Sequence, residues 1–163
     1  MDHRGERISK QPPPDAPRIT AEAMLSRIVA MNHRDPHWRK EPAKVAELAA
    51  AWGIRTNDHG IMADFEHEEV ARVAGNCHTS ILIARMGSGL CTFGIVARWG
   101  EGGGCLKPSI GSVPYDTEIE ARRAASKELI AWLQSGRGAE KNQQRQLLLA
   151  AVKERDRERG LFG

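Results

Sequence analysis

The sequence predicts an α+β fold in which an antiparallel β-hairpin or three-stranded sheet is packed by an amphipathic helix. Residues 80–85 and 90–99 are rich in β-branched and apolar residues, and the glycine-containing segment 86–89 separates them. A helix is predicted at 117–133, where apolar residues recur at helical spacing. Because the strands and the helix each have an apolar face, we expect these faces to pack together.

The second strand has the alternation of a half-buried strand. Its odd positions from Cys91 to Trp99 are apolar, whereas the even positions include threonine, glycine and arginine. The glycine-rich segment 100–104 is predicted to be an irregular, flexible loop. Residues 109–113 are predicted to form a short third strand, which the following proline ends.

The predicted helix has clear start and end signals. Thr117 followed by Glu120 is a capping box, and Gly136 lies just beyond the last apolar position as a C-terminal cap. The apolar stripe consists of Ala121, Ala124, Ala125, Leu129, Trp132 and Leu133. The basic residues off this stripe are expected to point away from the sheet, toward solvent or a partner: Arg122, Arg123 and Lys127.

Two further helices are predicted before the hairpin. Thr20 is a favourable N-cap for a first helix that reaches about Met31. Pro42 is a favoured first-turn residue for a second helix, which Gly53 ends. The segment 64–75 fits either a short acidic helix or a distorted edge strand, and we expect a helix.

The chain is predicted to form one domain with two appendages. Residues 1–18 are charged and proline-rich and are predicted to be a disordered arm. The single α+β domain covers 19–136, and 137–163 is predicted to be a charged helical tail with a helix at about 140–157. From Ser135 onward there are seven Lys and Arg against four Asp and Glu, so the formal net charge of +3 resides in this tail.

The composition and motifs argue against several classes of function. No apolar run approaches the roughly 18 residues of a membrane span, and no signal peptide is recognisable, so we expect a soluble, cytoplasmic protein without a membrane partner. The chain has an odd number of cysteines and no recognisable secretion signal, which predicts reduced thiols: Cys77, Cys91 and Cys105. Their spacing does not fit a zinc knuckle, so we expect no metal site. No catalytic motif is present, so we expect neither an enzyme nor a cofactor.

Two groups of charged residues are candidate partner surfaces. The basic group would bind phosphates of a nucleic acid or a nucleic-acid-binding complex, and it consists of Arg122, Arg123, Lys127, Arg137, Lys141 and Arg145. The alternative acidic group would fit the basic groove of a partner protein, and it consists of Asp64, Glu66, Glu68 and Glu69.

Parts of the chain resemble two groups of known domains. Residues 117–129 resemble the last helix of double-stranded RNA-binding domains, which also follows a hairpin and has an alanine-rich inner face. That family has its phosphate-binding lysine pair in the first turn, where this chain has Glu118, Ile119 and Glu120. We therefore transfer no binding residues from it.

The hairpin, glycine-rich loop and threonine-capped helix of 79–133 are similar to small accessory domains of phages and integrative elements. Such domains occur in partition-type proteins and in inhibitors of host defence such as anti-CRISPR proteins. The resemblance implies a non-enzymatic binding protein from a mobile-element setting, with nucleic acid or a nucleic-acid-binding complex as its partner. The alternative is a protein-binding inhibitor of a host defence system that acts by surface mimicry.

Overall fold

The structure is a computed structural model that describes residues 17–73 and 75–162. Within these residues it has four α-helices: α1 (Ala21–Arg34), α2 (Pro42–Trp52), α3 (Glu118–Gln134) and α4 (Gln143–Phe162). It also has four strands: β1 (Glu66–Arg72), β2 (His78–Arg85), β3 (Cys91–Trp99) and β4 (Gly102–Leu106). The predicted α+β class is confirmed, although the sheet has four strands rather than two or three. Residues 1–16 of the predicted disordered arm lie outside the described residues.

The four strands form an antiparallel meander in chain order. β2 is buried on both faces, because Ile81 and Ile83 point to one side while Leu82 points to the other. Helix α3 packs on β2 and β3, and α4 packs on β1. The connection after β4 covers the opposite side of β3, where a Cβ added to Gly94 would lie 2.7 Å from the Pro108 ring.

The predicted helix signals are confirmed. Thr20 accepts a hydrogen bond from the Ala23 amide at the start of α1, and Gly53 ends α2 in the left-handed region with φ 64°. At α3, the capping box between Thr117 and Glu120 is complete in both directions. These local interactions satisfy backbone groups that the helix ends would otherwise leave without partners.

The expected helix at 64–75 is wrong, because this segment contains β1. The strand pairs with β2, and a bulge between Glu69 and Ala71 shifts the register. The bulge places Val70 and Ala71 next to each other on the buried side of a strand whose other residues are charged or polar. Two adjacent buried residues interrupt the period-two pattern, which explains why the sequence did not read as a strand.

The prediction that residues 100–104 are irregular is also wrong, because β4 begins at Gly102. Two indole rings occupy the space that side chains on this strand would need. A Cβ added to Gly104 would lie 2.9 Å from the Trp132 ring, and one added to Gly102 would lie 2.4 Å from Trp99 Nε1. The predicted third strand at 109–113 is not formed, since only an isolated bridge between Ile61 and Ser109 occurs there.

The core has two parts. The first lies between the sheet and helices α3 and α4, and its fully buried members include Ile81, Ile95, Leu129, Leu133 and Leu148. The second joins α1 and α2 to the end of the sheet, and it includes Met24, Trp38, Trp52, Met86 and Ile110. Leu148, Leu149 and Val152 of α4 are buried in the first part of the core. The segment predicted to be a charged tail therefore contributes to the core.

Candidate functional site

Three arginine side chains converge on one carboxylate where β1, α3 and α4 meet. Arg155 Nη2 donates a hydrogen bond of 2.7 Å to Glu68, and Arg122 and Arg159 also form ion pairs with Glu68. The Glu68 side chain is only 20% exposed, which strengthens these interactions relative to ion pairs in open solvent. Glu68 alone cannot neutralise three guanidinium groups, and Glu118 and Glu66 supply further negative charge to Arg122.

Arg122 is also held by its own helix and by β1. It donates to Glu118 at 2.8 Å, one turn earlier in α3, and its Nη2 lies 3.9 Å from Glu66. The prediction that Arg122 points away from the sheet is wrong, because the first strand of the sheet supplies two of its three acidic partners. Arg85 of β2 extends the network by donating to Glu118 at 2.9 Å.

The electrostatics of this network reflect both the burial of its arginines and their repulsion of one another. Burial lowers the pKa of Arg122; the charge of Glu66 opposes this shift, and the nearby guanidinium groups of Arg159 and Arg155 add to it. The pKa of Arg155 is lowered for the same two reasons, burial and the charge of Arg159. Both guanidinium groups remain charged at neutral pH, because an arginine side chain is a very strong base. Glu66, Glu68 and Glu118 offset part of the repulsion among the three cations.

A groove with a volume of about 460 Å³ runs beside this network, between α3 and the last turns of α4. Four basic side chains and one acidic side chain line it, together with one exposed isoleucine. The lining residues that carry the argument are Arg122, Arg123, Lys127, Arg159, Asp156 and Ile119. Because Arg122 and Arg159 are ion-paired with Glu68, the excess of positive charge in the groove comes mainly from Arg123 and Lys127.

Helical spacing explains how α3 supplies one wall of the groove. Ile119, Arg123 and Lys127 follow one another at intervals of four residues, so they lie along one side of the helix. Arg123 and Lys127 are exposed, and Ile119 is 62% exposed. The predicted orientation of Arg123 and Lys127 toward solvent therefore agrees with the structure.

The remaining residues of the predicted basic group lie elsewhere. Arg137 and Lys141 are exposed in the connection between α3 and α4. Arg145 has a structural role: its guanidinium donates to the Trp132 carbonyl at 2.6 Å and lies 4.4 Å from the Trp99 ring centroid. A cation at this position stabilises the C-terminal end of α3 and adds a cation–π interaction.

The acidic group is largely neutralised within the chain. Asp64 accepts a hydrogen bond of 2.6 Å from Arg55, and Glu69 accepts one of 2.9 Å from Arg72. The pKa of Glu69 is lowered, chiefly by its hydrogen bond to Arg72. Glu66 pairs with Arg85, and Glu68 is the centre of the arginine cluster. The predicted basic and acidic groups contact each other through Arg122, which pairs with Glu66 and Glu68.

Sequence reasoning did not select Arg155 and Arg159 as site residues. Both belong to the charged end of α4, and their spacing of four residues puts them on the same side of the helix. This spacing could have indicated a shared partner. The identity of that partner, Glu68 of β1, depends on a contact between segments more than 80 residues apart.

The other chemistry-bearing residues are dispersed. Cys77 and Cys91 are buried and Cys105 is exposed. Burial raises the pKa of the Cys91 thiol. Among the residues that the structure describes, no group of three or more His, Cys, Asp or Glu side chains could hold a metal ion. No helix in the same residues is both long and apolar enough to cross a membrane.

Comparison of this chain with known proteins identifies no relative. No family model matches this chain, and no curated protein sequence or solved structure matches it. The site must therefore be interpreted from its own geometry and charge.

Proposed function

We propose that this chain is a non-enzymatic binding protein that binds nucleic-acid phosphates in the groove between α3 and α4. The observation that supports the proposal is that two exposed cations of the groove, Arg123 and Lys127, form no ion pair among the described residues, and they lie beside the paired Arg122 and Arg159. The mobile-element setting is part of the proposal and depends on the resemblance of residues 79–133 to accessory domains of phages and integrative elements.

The groove combines fixed and adjustable cations. Glu68 and Glu118 hold Arg122, and Glu68 also holds Arg159, so these guanidinium groups lose little conformational freedom when a phosphate binds. Arg123 and Lys127 are exposed and can follow the phosphate backbone. Glu118 belongs to the first turn of α3, where an acidic residue would repel phosphate, but Arg85 and Arg122 neutralise it.

Phosphate binding by these residues predicts a strong dependence on salt. Each neutralised phosphate releases condensed counterions, which gives a log–log slope of about −0.9 per contact for duplex DNA. Contacts from Arg123, Lys127 and Arg159 predict a slope of about −3. Because these contacts are made to the backbone, binding should depend little on base sequence.

A fluorescence anisotropy titration against duplex DNA, duplex RNA and single strands at low ionic strength tests the proposal. The variant carrying both Arg123→Glu and Lys127→Glu should lose binding without a change in melting temperature, because both side chains are exposed. Reversal of Arg122 is less informative, since it would add a carboxylate to a network that already contains Glu66, Glu68 and Glu118.

A matched control is the variant with Arg27→Glu and Lys40→Glu. Both residues are exposed, they lie in the N-terminal helical region, and the net charge changes by the same amount. This control should retain most of the binding. Equal loss in the two double variants would indicate attraction by net charge alone and would contradict a binding groove.

The alternative is an inhibitor that presents acidic residues to a basic partner protein. The ion pairs of Asp64, Glu66, Glu68 and Glu69 with arginines of the same chain weaken this alternative, since binding a partner would require breaking them. If no nucleic acid binds at low ionic strength, the alternative gains support. Glu69→Arg should then weaken a protein complex recovered by pull-down.

A further inference from the structure

The two edge strands of the sheet, β1 and β4, differ in how well they are protected against pairing with another strand. At the β1 edge, Arg155 Nη1 donates to the main-chain oxygens of Glu69 at 2.9 Å and Val70 at 3.0 Å. The bulge between Glu69 and Ala71 also distorts this strand. Charged side chains, bulges and covering groups are the means by which natural sheets prevent further strand pairing. The β1 edge is therefore protected against pairing with another strand.

The β4 edge lacks most of these protective features, although Gly103 departs from regular strand geometry with φ 130°. Residues Gly102–Leu106 include no charged side chain and no proline, and their register with β3 is continuous. In the described part of the chain, no hydrogen bond from outside β3 reaches the main chain of this strand. Leu106 is 47% exposed. Such an edge offers unpaired N–H and C=O groups to another strand.

The charges that flank β4 indicate which strand fits this edge. Glu101 precedes the strand and Lys107 follows it, and both side chains are exposed. In an antiparallel pair of two β4 strands with Gly104 opposite its own counterpart, Glu101 in the β3–β4 turn of each copy would lie next to Lys107 of the other, just beyond the paired residues. Opposite charges that face each other across antiparallel strands stabilise the pairing. We propose that the chain forms a two-fold symmetric dimer through β4, with one continuous sheet across both copies.

The same register also pairs apolar groups. Leu106 lies opposite Gly102 of the second copy, where the Trp99 ring already fills the space above the glycine. Leu106 therefore packs beside this indole and loses part of its exposed apolar surface. Because β4 has only five residues, the interface is small and the dimer is weak and concentration-dependent.

Sedimentation velocity over a range of protein concentrations, with reductant present, tests this proposal. The parent protein should show a reversible monomer–dimer equilibrium. Glu101→Lys creates two Lys–Lys contacts and Lys107→Glu creates two Glu–Glu contacts. Each change should raise the dimer dissociation constant about tenfold, which corresponds to ~1.4 kcal/mol. The variant with both changes restores two ion pairs in the reversed direction and should dimerise as the parent does.

Lys40→Glu and Glu47→Lys are the matched controls, because both residues are exposed and the changes in net charge are the same. Neither should alter dimerisation. The proposal is overturned if the parent is monomeric at every concentration, or if the combined variant dimerises no better than the single ones. A dimer that disappears when reductant is added would be a disulfide through the exposed Cys105, and it would also overturn the proposal.

Discussion

The contact between Gly104 and Trp132 can be used to test whether packing of the indole ring on the glycine stabilises β4. Gly104→Ala should destabilise the protein, because the new Cβ would lie 2.9 Å and 3.1 Å from two atoms of the indole ring. These distances are too short for carbon atoms in contact, so the ring or the strand must move. The backbone itself does not oppose alanine, since Gly104 is not among the glycines with positive φ.

The size of the effect follows from the position of the ring. Inserting a methyl group into a well-packed site costs about 1–3 kcal/mol. Trp132 is only partly buried and can move outward, so we expect about 1–2 kcal/mol for Gly104→Ala. With Trp132→Ala present the clash is removed. Gly104→Ala should then be neutral or stabilising by up to about 1 kcal/mol, since alanine reduces the freedom of the unfolded chain.

Chemical denaturation of the four proteins of this double-mutant cycle measures the coupling. We expect a coupling free energy of about 1–2 kcal/mol. Gly160→Ala is a matched control, because nothing lies within 4 Å of its Cβ position and it is part of α4. This control should be neutral or slightly stabilising. Strictly additive effects at Gly104 and Trp132 would refute the packing explanation of β4.

Three other predictions concern the core, the thiols and an ion pair. Leu129→Ala should lower the free energy of unfolding by about 2–5 kcal/mol in denaturant titrations, because Leu129 is 0% exposed between α3 and the sheet. A thiol reagent should label Cys105 rapidly in the native protein and the other two cysteines only on unfolding; equal labelling of all three would contradict the fold. The pKa of Asp35 is lowered below 3.8, mainly by its hydrogen bond to Lys44, so its stabilising effect is present above that pH and is lost as the pH falls through the lowered value. Asp35→Asn should therefore lower the melting temperature at neutral pH. In strong acid the variant and the parent should melt at the same temperature. If the variant still melts lower there, the charge of Asp35 is not the cause of the destabilisation.

Elements whose signals are local could be predicted from the sequence. The caps at Thr20, Gly53 and Thr117 specify helix ends through contacts within a few residues, and each is found as expected. The alternation from Cys91 to Trp99 likewise predicts β3 correctly.

Elements that depend on distant partners could not be predicted in the same way. β4 exists because Trp99 and Trp132 cover its glycines, and Trp132 is about thirty positions further along the chain. β1 is misread because its bulge puts Val70 and Ala71 on the same buried side. In both cases the tertiary contact overrides the local pattern.

The candidate site likewise combines features that local sequence predicts with features that depend on distant contacts. The spacing of Arg123 and Lys127 on α3 places them correctly on an exposed side of the helix. The sequence did not reveal that Arg122 and Glu68, assigned to rival surfaces, form an ion pair with each other. That pairing requires β1 and α3 to be adjacent, which only the topology of the sheet establishes.

The measurement that tests the groove most directly is the salt dependence of duplex DNA binding for the parent, Lys127→Ala and Lys40→Ala. If Lys127 neutralises one phosphate in the groove, its removal should reduce the magnitude of the log–log slope by about 1. Lys40 is also exposed but lies outside the groove, so Lys40→Ala should keep the slope of the parent. Identical slopes for all three proteins, or no binding by the parent at low salt, would contradict the account.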